Sequence, residues 1–109
     1  MRVSGYRLMW VVVMFDLPTD TKNARRDYTR FRKGLIEDGF VMLQFSVYAR
    51  ACPSEENAQV HSKRIKANLP PAGQVRLMNF TDAQFKRMQV FCGKKRSRPE
   101  SPGQQLEFF

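Results

Sequence analysis

The chain has 109 residues, 42% of them hydrophobic, which is long enough for one domain with a real core and too short for two. Nineteen Lys and Arg against ten Asp and Glu give a net charge of +9, a field that attracts polyanions and puts nucleic acid ahead of an anionic membrane as the expected partner. No stretch approaches the roughly 20 apolar residues of a transmembrane helix, so no membrane partner is expected.

Along the chain, residues 8–16, LMWVVVMFD, are β-branched and aromatic, which predicts a strand covered on both faces. The N-terminal MRVSGYRLMWVVVMFDL has the apolar run of a signal peptide but leads into Phe-Asp rather than a small-residue cleavage site, so a cytoplasmic chain is expected. Thr19 or Asp20 is placed to cap a helix that runs to about Asp38 and is stopped by Gly39. FVMLQFSVYAR, Phe40 to Arg50, is rich in β-formers, with Val41, Leu43, Phe45 and Val47 on one face. At this length it exceeds the usual strand of about five or six residues, and a bend near Gln44 is expected to split it. Ser54 opens a second helix with Glu55 and Glu56 behind it and Lys63, Arg64 and Lys66 in its last turn, in agreement with the helix dipole. Gln74 to Phe80 predicts another strand, Thr81 to Gln84 a capping box opening a short helix, and Gln89 to Cys92 a final short strand.

The order β-α-β-β-α-β with an extra C-terminal strand is that of an α+β, ferredoxin-like sandwich. Residues 1–92 form this domain, and residues 93–109 shift to a basic flexible tail. There Lys94, Lys95, Arg96 and Arg98 precede a Pro/Ser/Gly/Gln linker, and the chain ends in Leu106, Phe108 and Phe109. Disorder is one reading of the tail. The other is docking on a partner, with Leu106 and Phe108 on one side of an added strand.

The first helix carries the clearest functional signal. At about 100° per residue, Ala24, Tyr28, Phe31 and Leu35 fall within roughly 60° of one another and form its core stripe. Lys22, Arg26, Arg30 and Lys33 lie almost opposite, with Arg25 and Arg32 beside them. These cations repel one another unless an anion is bound, and a phosphate backbone fits them better than a merely solvated face does. Lys22, Arg25, Arg26, Arg30 and Lys33 are therefore candidate nucleic-acid contacts.

Asp16 closes the first strand, where ligands of open α/β sheets sit. Its plain role is to cap the turn that follows. Its chemical role is to hold a metal, although one carboxylate is a poor Mg²⁺ site unless water, phosphate or a second protomer adds oxygens. In a symmetric dimer with facing strand ends, two Asp16 residues share one cation. Cys52 and Cys92 form no CxxC pair, and with the single His61 they are too few for structural zinc, so both read as buried free thiols. His61, mid-helix among polar neighbours, reads as a surface residue, and Ser46 as a hydrogen-bonded strand serine. Trp10, Phe15 and Tyr48 read as core or interface.

A strand ending in VVVMFDLPTD, a basic helix ending in Gly-Phe and then MLQFSVYAR together resemble the CRISPR-associated protein two (Cas-two) family, and the fuller phrases resemble its members in type II systems. The likeness is dense over residues 7–50 and looser over 53–92. It implies a ferredoxin-like homodimer held between two integrase dimers, where it sets the spacing of a captured duplex during spacer acquisition. It also implies a Mg²⁺-dependent (or Mn²⁺-dependent) endonuclease (endoribonuclease) activity, with Asp16 as catalytic metal ligand. Duplex DNA is the implied partner, with RNA as a second. Ala49-Arg50 stands where many relatives carry an acidic residue, which leaves fewer acidic groups near the site. The alternative on the same fold is a toxin-like mRNA interferase acting on single-stranded RNA.

Overall fold

The computed structural model describes residues 8–102. Its elements are β1 (Met9–Asp16), α1 (Lys22–Glu37), β2 (Val41–Gln44), β3 (Val47–Cys52), α2 (Glu55–Ala67), β4 (Gln74–Thr81), α3 (Asp82–Lys86), β5 (Val90–Cys92) and β6 (Lys95–Ser97). The first four strands form one sheet in the order β2-β3-β1-β4, with every pairing antiparallel. This is the expected ferredoxin-like α+β sandwich. The extra strand is half of a hairpin: β5 pairs with β6 as a separate two-stranded sheet. The turn between them uses Gly93 at φ 65°, a left-handed conformation that glycine adopts without a Cβ clash. The pairing thus runs past residue 92 into the basic KRS segment, where no apolar alternation signals a strand.

The central position of β1 explains its unbroken apolar sequence. Val11, Val13 and Phe15 face the helices and pack with Phe31, Leu35, Tyr48 and Ile65. Trp10 and Val12 face the opposite side and pack with Ala49, Ala51 and Phe85. Each such side chain contributes about 1.5–3 kcal/mol by leaving water, so a strand covered on both faces needs no polar alternation. Trp10 is wholly buried, stacks on Phe85 with ring centroids 3.9 Å apart and donates its indole N–H to Asp82 Oδ1 at 2.9 Å. That bond gives the buried tryptophan its polar partner. Through it α3, the short helix with the expected Thr81–Gln84 capping box, is clamped onto one end of the sheet face that α1 and α2 leave open.

The bend near Gln44 holds, while the cap and core stripe of α1 and the burial of Cys92 differ from expectation. The cap of α1 is Thr21, whose Oγ1 accepts from Ala24 N at 3.0 Å, one or two residues later than Thr19 or Asp20. The core stripe of α1 narrows to buried Phe31 and Leu35, with Ala24 and Tyr28 half-buried. The bend near Gln44 occurs as a register shift between Met42 and Gln44, followed by a turn at Phe45–Ser46 that leaves Phe45 outside the strand. Of the two thiols only Cys52 is buried; Cys92, on the outlying hairpin, is exposed. Among the described residues no helix is long and apolar enough to cross a membrane.

Candidate functional site

Asp16 is exposed at the end of β1. Strand alternation puts it on the side of Trp10, Val12 and Met14, away from α1 and α2. Its backbone is braced from below. Gly73 has φ 91° and comes so close that a Cβ there would lie 2.6 Å from Asp16 O and 2.9 Å from Leu17 Cα. Only glycine permits both the conformation and the approach, so the chain before β4 fixes where the carboxylate stands. On β4, Gln74 pairs across from Asp16 and Arg76 across from Met14. Phe45 and Ser46 approach from the β2–β3 turn, and these residues with Asp16 line a cleft of about 320 Å³. Among the described residues no group of three or more His, Cys, Asp or Glu gathers to hold a metal. Within this cleft the chain therefore offers a cation the Asp16 carboxylate, with the Gln74 amide on the same wall, a donor set that fits Mg²⁺ only where water and substrate phosphate complete it.

The expected nucleic-acid contacts lie on another surface. Lys22, Arg25, Arg26, Arg30 and Lys33 are all exposed on α1. They line a groove of about 1200 Å³ between α1 and residues 64–71, where Arg64 adds a sixth cation and Pro70 and Pro71 form the far wall. Six cations there face Asp27, Glu37 and Asp38. Among the described residues none of the α1 cations forms an ion pair; the polar contacts of Arg25 and Arg32 are with Thr19 O at 3.1 Å and Tyr48 Oη at 3.0 Å. Lys22, Arg26 and Arg30 also follow at i, i+4 spacing, where like charges destabilise a helix by a few tenths of a kcal/mol per pair. The first turn of α1 holds no acid and its last turn no base, whereas α2 has Glu55 and Glu56 first and Arg64 and Lys66 last. One helix obeys its dipole and the other does not. This groove and the Asp16 cleft share no lining residue: the structure separates the two predicted features. Leu106, Phe108 and Phe109 lie outside the described residues.

Three residues gain roles that the sequence pattern hid. Asp38, the C-cap of α1, accepts from His61 Nδ1 at 2.7 Å and Arg64 Nη1 at 2.6 Å, while its backbone oxygen accepts from Arg50 Nε at 2.7 Å. His61 and Arg50 are buried, so the expected surface histidine belongs instead to a knot joining α1, β3 and α2 behind the basic groove. Polar neighbours in sequence misled because α2 turns His61, Ser62, Ala58 and Ile65 inward together. Arg50 lies on the helix side of the sheet, so the Ala49-Arg50 departure does not put its guanidinium in the Asp16 cleft.

Burial lowers the His61 pKa, an effect that the hydrogen bond to Asp38 opposes and the charge of Arg50 reinforces. A neutral folded-state imidazole contributes stability that is complete above the unfolded value near 6.5 and is lost as pH falls from there through the lowered folded value. Thermal unfolding followed by circular dichroism from pH 8 to 5 should show wild type losing stability below about pH 6.5, with a slope of at most about 1.4 kcal/mol per pH unit. The slope should be shallower in His61→Gln. Equal slopes would mean that His61 does not carry the pH dependence.

Residues 9–88 match the family model for the CRISPR associated protein Cas2. A protein of Parvibaculum lavamentivorans is 55% identical over 101 residues, covering 93% of this chain and all of its own. One of Flavobacterium psychrophilum is 50% identical over 108 residues, covering 99% of this chain and 94% of its own. One of Paracidovorax avenae is 42% identical over 107 residues, covering 98% and 99%. Each of the three bears the name CRISPR-associated endoribonuclease Cas2. With the ferredoxin-like sheet, the strand-terminal aspartate and a match across most of its length, this chain belongs to the CRISPR associated protein Cas2 family.

Proposed function

We propose that the protein is a homodimeric scaffold of CRISPR spacer acquisition that holds duplex DNA between integrase dimers, and that Asp16 gives it a Mg²⁺- or Mn²⁺-dependent endonuclease activity. The observation that carries the scaffold reading is the α1 groove. A helix that keeps cations without ion pairs, against its own dipole, is stabilised by a polyanion laid along it. The homodimer is supported by the open sheet face. Beyond the end covered by α3, Val41 and Met78 are exposed there and Met14, Leu43 and Val47 only partly buried, an apolar surface that a second copy would cover. Asp16 stands at the rim of that face, so two copies related by a twofold axis bring two carboxylates toward one cation.

The endonuclease reading is supported by the names of the relatives and by the cleft around Asp16. A bound divalent ion would supply Lewis-acid polarisation of a phosphoryl oxygen and an activated water. The chain's own part is positional: Asp16 holds the cation, Gly73 fixes the carboxylate's backbone, and Arg76 presents a cation to the phosphate. The apolar end, Leu106, Phe108 and Phe109, is assigned to docking on the integrase.

The test is reconstitution with a CRISPR integrase, scoring co-elution and the joining of a short duplex to a repeat. Joining should require this protein and persist with Asp16→Ala, and truncation after Arg98 should weaken co-elution. Joining by the integrase alone at the same rate would overturn the scaffold reading.

A further inference from the structure

Phe45 is 79% exposed, more than any other large apolar side chain among the described residues. It is held out at a defined place rather than left loose. Ser46, the residue after it, has φ 62° and is the one non-glycine residue with positive φ among those described. That region is sterically unfavourable for a residue with a Cβ and is kept where the surroundings over-determine it. Here the fixing contact is visible: Ser46 O accepts the backbone N–H of Phe15 at 3.0 Å, one residue before Asp16. The register shift between Met42 and Gln44 further turns the strand end, as bulges beside functional sites do. A one-residue extension of the β1 ladder thus ties the aromatic ring to the aspartate.

Asp16, Phe45, Gln74 and Arg76 line the same cleft. Gln74 and Arg76 are exposed, and among the described residues Arg76 forms no ion pair. The cleft therefore gathers an exposed aromatic ring, a planar cation, an amide and a carboxylate within one small space. Those are the elements that hold a single nucleotide: a base on the aromatic ring, a phosphate on the guanidinium, and an amide for the base edge or sugar. Its volume, about 320 Å³, lies at the small end of ligand pockets, which span about 300–1,000 Å³. A duplex does not suit it, because paired bases keep their faces stacked on one another.

We propose that Phe45 is the stacking platform of a subsite for one unpaired nucleotide beside Asp16, with Arg76 holding its phosphate, so that this end of the sheet takes single strands while the α1 groove takes duplex. The inference deepens the endonuclease reading of Asp16 and rests on it for its chemistry. Its test does not need cleavage.

The full-length protein carrying Asp16→Asn is titrated against a short oligonucleotide, made once as RNA and once as DNA, with a central 2-aminopurine whose emission is quenched by stacking. Quenching at saturation should occur with at least one of the two strands, identifying the preferred sugar. It should persist with Phe45→Tyr and disappear with Phe45→Leu, which should also weaken binding by roughly 5- to 150-fold, the range for one lost base–aromatic stack. Arg76→Ala should weaken binding in low salt yet leave the quench at saturation. The same quench in Phe45→Leu as in the parent, or no quench with either strand, would overturn the subsite. So would a Phe45→Leu protein whose dimer mass falls in light scattering while the parent shows no quench, because Phe45 would then be a contact between copies. Cleavage assays comparing the wild-type protein with Asp16→Asn decide the endonuclease reading separately.

Discussion

Asp16→Asn is expected to remove metal-dependent cleavage, with a loss of at least about 100-fold, since even the outer partners of a metal ligand cost 10- to 100-fold when changed. The substitution keeps the shape of an exposed side chain, and the backbone of Asp16 is held by its pairing with β4 and the close approach of Gly73, so the end of β1 should stay in place. It takes away the one formal negative charge among the residues that line the cleft, and a neutral amide binds Mg²⁺ or Mn²⁺ far less well than a carboxylate. Duplex affinity should be unchanged or slightly higher, because the basic groove lies elsewhere and the protein has lost a negative charge. The measurement is cleavage of labelled RNA and DNA with Mg²⁺, with Mn²⁺ and with chelator, beside a duplex-binding titration on the same samples. Cleavage that survives both the substitution and the chelator would remove Asp16 from the catalytic reading.

Combined replacement of Arg25, Arg26 and Arg30 by Ala should produce the largest change in duplex binding. Each lost phosphate contact lowers the slope of log K against log salt by about 0.9, so three contacts lower it by roughly 2.7. Between about 50 and 200 mM salt, wild type should then lose roughly 40-fold more affinity than the variant, the two curves converging as salt rises. The fold should hold or gain slightly. All three side chains are exposed, Ala has the highest helix propensity, and removing Arg26 and Arg30 relieves like-charge repulsion along α1. Only the contact of Arg25 with Thr19 O is given up. Fluorescence anisotropy of a labelled duplex over a salt series reads the slope, and thermal unfolding checks the fold. An unchanged slope with a folded protein would remove this helix face from the binding surface and with it the observation that carries the scaffold reading.

The two experiments address different surfaces, and the difference between those surfaces is what the tertiary structure contributes. Asp16 and Lys22 are only six residues apart in the chain. The chain reverses between them. After Leu17-Pro18 it leaves the open face of the sheet and crosses to the helix side, where Thr21 starts α1. Residues close in the chain therefore come to line separate grooves, Asp16 one and the cations of α1 the other.

Whatever local physics controls was legible in the order of residues. An unbroken apolar run made β1 central, and the 3.6-residue period gave α1 its opposed apolar and cationic faces. Ser54 and Thr81 marked helix starts because their side chains accept the otherwise unpaired N–H groups there. Phrases of nine and ten residues carried the family resemblance. What depends on partners distant in the chain emerged only when the chain packed. His61 looked like a surface residue until Asp38, 23 residues away, met it in the interior, and Arg50 acquired its place from the same carboxy-terminal cap of α1. Arg76 and Gln74 came to Asp16 only through the antiparallel register of β4 on β1, which no local pattern specifies. Gly73 showed its purpose only against the Asp16 backbone. The physical reason is the same in each case: capping, periodicity and turn chemistry act within a few residues, whereas register, burial of polar groups and the walls of a cleft arise when separate segments pack.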